Sequence, residues 1–259
     1  MKENSVIDRF WNDAYAKWRD GGYINDDEQL VECRFELEKD ELEKFLKRHI
    51  PPERRARALD VGCGNGRFCR VLADYFERVD GIDIAETAIR RNRLENRNGR
   101  IDYHCVPFSE FSERARHRYD FVYIGGVLMY IRDEELERSY RGLSRILAKQ
   151  GVALLRESVM DRKRVDRTGE EYVAFYRRKD FYTKIGNLEL METKENLAYR
   201  IGELRNVMKR LGLGSLFDCQ KAEIFLPFLK IKSFLWKPGL NRLVNYYYLH
   251  RKKGENDEG

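Results

Sequence analysis

Residues 59–68 read Leu59-Asp60-Val61-Gly62-Cys63-Gly64-Asn65-Gly66-Arg67-Phe68, with three glycines on alternate positions between two apolar runs. Upstream, ARALDVG (56–62) is a short apolar run of the kind that makes a buried strand. Downstream, Phe68, Val71, Leu72, Tyr75 and Phe76 recur at the i, i+3, i+4, i+7, i+8 spacing of one helix face. Glycines at such a junction let the chain turn sharply and let a ligand reach bare backbone. The helix start behind them offers free N–H groups and a partial positive charge.

The same alternation continues outward. RVDGIDI (78–84) reads as a strand, followed by a helix through about Asn98. IDYHCV (101–106) and YDFVYIGG (119–126) read as two more strands. Asp133 is placed to cap a helix striped by Leu136, Tyr140, Leu143 and Leu147, and GVALLRESV (151–159) closes the series. Strands alternating with helices predict an α/β fold with a doubly wound, mostly parallel sheet. Such sheets bind ligands beyond the carboxyl ends of their strands.

The flanks are expected to cap this core. A helical stretch of about 50 residues stops at Pro51–Pro52. After the core come a predicted helix at about 169–186, a strand-like LELMETKENL (188–197) and a strand-like LVNYYYLHR (243–251). We divide the chain into a helical cap (1–50), a cofactor-binding domain (51–251) carrying a substrate lid at about 160–240, and a frayed tail (252–259).

Composition narrows the class. The chain has 259 residues, 42% hydrophobic and 36% charged, which supports one sizeable core and excludes wholesale disorder. No run of 18 apolar residues exists, so no spanning helix is expected, and the amino terminus is not of signal-peptide type. Five cysteines without a CxxC pair argue against a disulfide framework or zinc knuckle and for a reducing cytoplasm, and no metal site is expected. Fifty basic residues against 44 acidic leave a net charge of +6, which reads mainly as a densely charged surface.

Two nucleotide-type cofactors compete for the loop. A dinucleotide asks for GxGxxG with its pyrophosphate on the helix start. Here the third glycine comes one residue early, and Asp60 sits two residues before the first. An acid there repels pyrophosphate but suits a ligand with an amino group, such as the methionyl part of S-adenosylmethionine (SAM). Asp83, at the tip of the second strand, is placed to accept both ribose hydroxyls of an adenosine.

At these residues the sequence resembles the class I SAM-dependent methyltransferases. ALDVGCGNGRF looks like their first motif, VDGIDIAETAI their second, YDFVYIGGVLMYI their fourth-strand segment, and LSRILAKQGVALLRESV their helix, turn and fifth strand. The resemblance covers about residues 55–160. It implies a seven-stranded, Rossmann-like sheet with an antiparallel seventh strand, for which LVNYYYLHR is the candidate. It also implies that Asp60, Gly62, Cys63, Gly64 and Gly66 surround the methionyl group, that Asp83 holds the ribose, and that Ile84 flanks the adenine. Gly125 falls at the small residue that turns over the cofactor. The acid that the family places near the end of strand three aligns with Pro107, a departure that Glu110 or the backbone at Phe108 must compensate.

Methyl transfer from a sulfonium asks the protein mainly to align a nucleophile. Tyr130 is the candidate for orienting or deprotonating the acceptor. Glu157 is expected at the mouth of the site, with its neighbour Arg156 turned to the other side by strand alternation. Two aromatic stripes, Trp11/Tyr15/Trp18 and Tyr172/Phe175/Tyr176, have the spacing of core packing or of a roof over the pocket. EIFLPFLKIKSFLW (223–236) is read as lid, dimer surface or lipid-facing patch. Neither a [DN]PP[YF] segment nor a Pro-Cys nucleophile pair is present, so the expected acceptor is a small molecule methylated on oxygen or nitrogen. The runner-up is an RNA methyltransferase using the basic surface, although the arginines Arg90, Arg91, Arg93, Arg97 and Arg100 fall on the side of the sheet away from the expected acceptor site and read mainly as a solvated face; a third reading is a non-catalytic SAM-binding partner subunit.

Overall fold

The computed structural model describes residues 4–17, 28–161, 164–168, 172–212, 214 and 243–252. Its core is a seven-stranded sheet built from β1 (Arg57–Val61), β2 (Arg78–Asp83), β3 (Ile101–Cys105), β4 (Tyr119–Gly125), β5 (Leu147–Val159), β8 (Leu188–Glu195) and β9 (Val244–Lys252). The spatial order is β3-β2-β1-β4-β5-β9-β8. β1 to β5 run parallel, and β9 lies antiparallel between β5 and β8. LVNYYYLHR therefore supplies the antiparallel strand, and the predicted doubly wound sheet is the one observed. A hairpin of β6 (Arg164–Thr168) and β7 (Tyr172–Tyr176) forms a separate two-stranded sheet.

The central strands are buried on both faces, and the side-chain period of two divides them between two cores. Ala58, Phe121, Tyr123, Val152 and Leu154 face α2 (Glu28–His49) and α3 (Arg67–Ala73), where they meet Leu42, Phe45, Leu46 and Leu72. The residues between them, Leu59, Val61, Val122, Ile124, Ala153 and Leu155, face α5 (Phe108–Arg114) and α6 (Asp133–Ile146). Burying each of the larger of these apolar side chains contributes about 1.5–3 kcal/mol, so the sheet and its two helical layers account for most of the apolar stabilisation. The remaining helices are α1 (Asn4–Lys17), α4 (Glu86–Glu95) and α7 (Ile201–Arg210).

Three local expectations are corrected. The stretch around 169–186 is not a helix: it holds β7 and a 3-10 turn at Lys179–Thr183. Its aromatic spacing serves the sheet period, with Ala174 and Tyr176 buried. α4 stops at Glu95 rather than Asn98, because Asn96 and Asn98 side chains accept from the amides of Asn98 and Arg100 and favour turns over helix. Asp133 is the first residue of α6 rather than its cap, which is Arg132.

Asp133 instead meets Arg177, whose side chain is 1% exposed, with Nη2 at 2.8 Å from its carboxylate. The Arg177 guanidinium also donates to the carbonyls of Leu128 at 2.9 Å and Ile131 at 2.6 Å, tying the chain after β7 to the turn after β4. Arg177→Leu strands these carbonyls. It should cost roughly 3 kcal/mol of stability, read as a lower urea midpoint, with Arg177→Lys recovering part of the loss. An unchanged midpoint would mean that water satisfies the turn equally well.

Candidate active site

The site is built at the carboxyl ends of β1, β2, β4 and β5. The loop after β1 folds back on the end of β2. Gly62 and Cys63 donate their amides to the Ile82 carbonyl at 2.8 and 2.9 Å, and Gly64 donates to Asp83 Oδ2 at 2.9 Å. Gly62 and Gly64 hold φ values of +70° and +51°, where side chains with a Cβ are strained. A Cβ on Gly62 would strike Val127, and one on Gly64 would strike the Tyr15 hydroxyl. The glycine pattern thus serves both the turn and the close approach of two neighbouring walls.

A cavity of about 810 Å³ opens against this loop. Of the residues singled out in the sequence, Gly62, Cys63, Gly64, Asp83, Ile84, Pro107, Phe108, Gly125 and Tyr130 line it. Asp60, Gly66 and Glu157 stand behind its wall. Glu110, offered as a substitute at the adenine end, pairs with Arg114 at 2.6 Å instead of lining the cavity.

Asp60 lies on the β1 face that looks toward α3, where its Oδ2 accepts from Cys69 Sγ at 3.2 Å. Burial pushes its carboxyl up to about 7, and the nearby Asp83 adds to the rise. Asp60 and Asp83 therefore stand at the same corner of the sheet. Asp83 accepts from the amides of Gly64 and Ala85, and burial pushes its carboxyl up against those bonds.

The expected sides of Arg156 and Glu157 are reversed. The two do point to opposite faces, but Arg156 lines the cavity and Glu157 is 0% exposed on the α6 side. Glu157 Oε1 accepts from the amides of Val127 and Leu128 at 3.1 and 3.0 Å, so it holds the turn from which Tyr130 projects. Burial raises its carboxyl to about 7. Strand alternation was legible; which face the cavity occupies depends on where α2 packs, and no local pattern carries that.

The amino-terminal helix closes over the loop. Trp11 meets Tyr130 edge-on at 4.9 Å and Tyr15 at 6.2 Å between ring centroids. α1 is fastened to α4 through Asn12 Oδ1, which accepts from the Thr87 amide at 2.9 Å and hydroxyl at 3.0 Å. Trp11 and Tyr15 are thus roof residues, and Tyr176 joins them from β7. The sites of Trp18 and of 223–236 lie outside the described residues.

Several lining residues had no sequence signal. Asp8 of α1 and Glu135 of α6 reach the cavity beside Pro107 and Ser109, and Ser109 Oγ donates to Glu135 at 3.2 Å. Burial, with the nearby Glu135, raises the Asp8 carboxyl. Arg34, Ser158 and Tyr199 line it from α2, β5 and the turn before α7. They come from separate stretches that only the fold brings together. Among the described residues, no group of three His, Cys, Asp or Glu side chains is arranged to hold a metal, and no helix is long and apolar enough to cross a membrane.

A seven-stranded sheet of this order, with a glycine loop after its first strand and an acid at the tip of its second, is the arrangement that the resemblance to the class I SAM-dependent methyltransferases implies. Residues 58–151 match the family model described as a methyltransferase domain. Phosphoethanolamine N-methyltransferase 1 of Zea mays is 26% identical over 171 residues, covering 63% of this chain and 33% of its own. N-terminal Xaa-Pro-Lys N-methyltransferase 1 of Xenopus tropicalis is 30% identical over 125 residues, 45% of this chain and 55% of its own. The chain therefore matches about a third to a half of the length of these relatives. Among solved structures, Burkholderia thailandensis 1,6-didemethyltoxoflavin-N1-methyltransferase with bound 1,6-didemethyltoxoflavin and S-adenosylhomocysteine superposes with a TM-score of 0.63 at 14% identity, over 97% of this chain and 89% of that one.

The two raised carboxyls give a pH signature. Asp60 and Glu157 bind more protons folded than unfolded between about pH 4 and pH 7, so each removes stability as pH rises through that window and none beyond it. His250, pushed down to about 4 by burial, acts in the opposite sense over the same window. The comparison that isolates Asp60 is wild type against Asp60→Asn. The variant should gain melting temperature relative to wild type as pH rises from about 4 to about 7, and the gain should then stay constant. Parallel curves would contradict the raised carboxyl.

Proposed function

We propose that this protein transfers a methyl group from S-adenosylmethionine to an oxygen or nitrogen of a small-molecule acceptor. The observation that carries this reading is a single cavity lined at once by the glycine loop, Asp83 and an aromatic roof. At about 810 Å³ it has room for a nucleoside and a small acceptor together. Bare backbone at Gly62 and Gly64 and a carboxylate at the β2 tip suit the methionyl and ribose parts of such a ligand.

When bound, SAM supplies an electrophilic methyl on a sulfonium. In this reading Asp83 accepts the ribose hydroxyls, and the amides of the glycine loop meet the methionyl group. Asp60 acts from behind the loop. Ile84 and Phe108 flank the adenine, and Asp8 or Glu135 provides the acid missing at Pro107. Trp11, Tyr130 and Tyr176 exclude water and present aromatic faces to the positive charge that moves toward the acceptor. Tyr130 orients the acceptor or takes its proton, and Glu157 is a positioning residue for the turn that carries Tyr130.

An RNA acceptor is the weaker reading. Arg91, Arg93, Arg97 and Arg100 each donate to a backbone carbonyl of the fold. Those bonds give the basic stretch a structural use. The named acceptors of the relatives and of the structural neighbour differ from one another and do not choose among small molecules and peptides. A cytoplasmic setting belongs to the same proposal, since the five cysteines are an odd number and include no CxxC pair.

Calorimetry with SAM tests the cofactor, and transfer of label from radiolabelled SAM into a cell extract, separated by size, tests the acceptor class. Binding is expected, with Asp83→Asn weakening it about ten-fold or more, and label is expected in the small-molecule fraction. Absent binding at millimolar SAM would end the reading, and label in RNA would replace it with the alternative.

A further inference from the structure

The cavity is electrically divided. Its acids, Asp83, Asp8 and Glu135, stand at the end bounded by Ile84, Pro107 and Ser109. Arg156 stands elsewhere, on the β5 residue paired with Gly125. The turn that follows β4 leaves room for it. A Cβ on Gly126 would lie 3.4 Å from Arg156 Nη2, so the guanidinium runs alongside bare backbone.

Arg156 is held from behind. Its Nε donates to the Tyr123 hydroxyl at 3.2 Å, and its Nη1 lies 3.6 Å from Glu38 Oε1. The Glu38 side chain is 0% exposed and accepts from Asn196 Nδ2 at 2.8 Å. Arg34, itself 8% exposed, lines the cavity one helical turn before Glu38 on the same buried face of α2. That face is seated on the Arg156 side by Phe35 against Phe68 at 5.4 Å and Phe68 against Tyr123 at 4.8 Å. Two guanidinium groups thus belong to one wall, with the buried Glu38 carboxylate behind Arg156. Arg34 stacks over Tyr199 at 5.0 Å, and Ser158 and Tyr176 add hydroxyls to the lining. A planar guanidinium fixed in this way on a cavity wall favours an anionic group, carboxylate or phosphate, as its partner.

We propose that the methyl acceptor carries an anionic group, carboxylate or phosphate, seated on Arg156 with Arg34 at the β5 end of the cavity. This rests on the methyl-transfer reading above and adds the chemical class of the substrate. Glu38 and Tyr123 fix the direction of the Arg156 guanidinium, and the acids at the far end keep the anion away from the adenosine side.

The competing anion is the carboxylate of the cofactor itself. The test therefore uses protein already saturated with S-adenosylhomocysteine, into which inorganic phosphate and, separately, succinate are titrated by calorimetry. At least one anion should bind, and the preferred one distinguishes phosphate from carboxylate. Arg156→Gln should weaken it about ten-fold or more, and Arg156→Lys by less, while affinity for S-adenosylhomocysteine stays within about two-fold. Melting curves of each variant establish that it is folded. Saturation with S-adenosylhomocysteine and no binding of either anion would overturn the proposal while leaving the methyl-transfer reading intact, as would equal anion affinity in wild type and Arg156→Gln. Loss of S-adenosylhomocysteine affinity in Arg34→Gln, with anion binding unchanged, would assign that arginine to the cofactor and overturn its part here. Failure of the wild type to bind S-adenosylhomocysteine at all would remove both.

Discussion

Everything at the site depends on how the loop after β1 is pinned to the tip of β2. Three consecutive residues, Gly62, Cys63 and Gly64, give their amides to Ile82 and Asp83. A loop of left-handed glycines has many other conformations available, and these bonds select one. The cost is a buried carboxylate at Asp83, offset by the amides of Gly64 and Ala85. With the loop fixed, α3 starts at a set place, and Val127 and Tyr15 close against the glycines from two sides.

The second shaping force is the division of buried charge between the two faces of the sheet. Asp60 and Arg156 belong to the face covered by α2 and α3, and Glu157 to the face covered by α6. Each is partnered by a different element: Asp60 by Cys69, Arg156 by Tyr123 and Glu38, Glu157 by the amides of 127 and 128. Buried polar groups of this kind stabilise little on their own, but they are costly to leave unmet. They therefore fix the turn after β4, and with it the place of Tyr130 and the opening of the cavity. Arg177 does the same from the other side of that turn.

The walls of the cavity are also drawn from outside the segment that matches the methyltransferase-domain model. Residues 58–151 supply the floor, while α1, α2, β7 and the turn before α7 supply the roof and the far wall. A common floor with a varied roof is how one fold serves many acceptors.

The alternation of strands and helices, the glycine loop and the two aspartates were legible because each is a local pattern: a period of two or 3.6, a turn that needs missing Cβ atoms, an acid at a strand tip. LVNYYYLHR was legible as a strand for the same reason. The helix expected near 169–186 failed because aromatic spacing over so few residues fits either period, and pairing of β6 with β7 decided it. Glu157 and Arg156 exchanged roles because alternation sets two sides but not which side the cavity takes. That choice is made by the packing of α2 on the sheet, a contact between residues more than a hundred positions apart. For the same reason Asp8, Arg34, Glu135 and Tyr199 carry no mark in the sequence. The chain by itself determined the fold and the glycine-loop side of the cavity, where the physics is local. Tertiary packing alone decided the wall that carries Arg34 and Arg156, because its charges are assembled from segments that share nothing but the cavity.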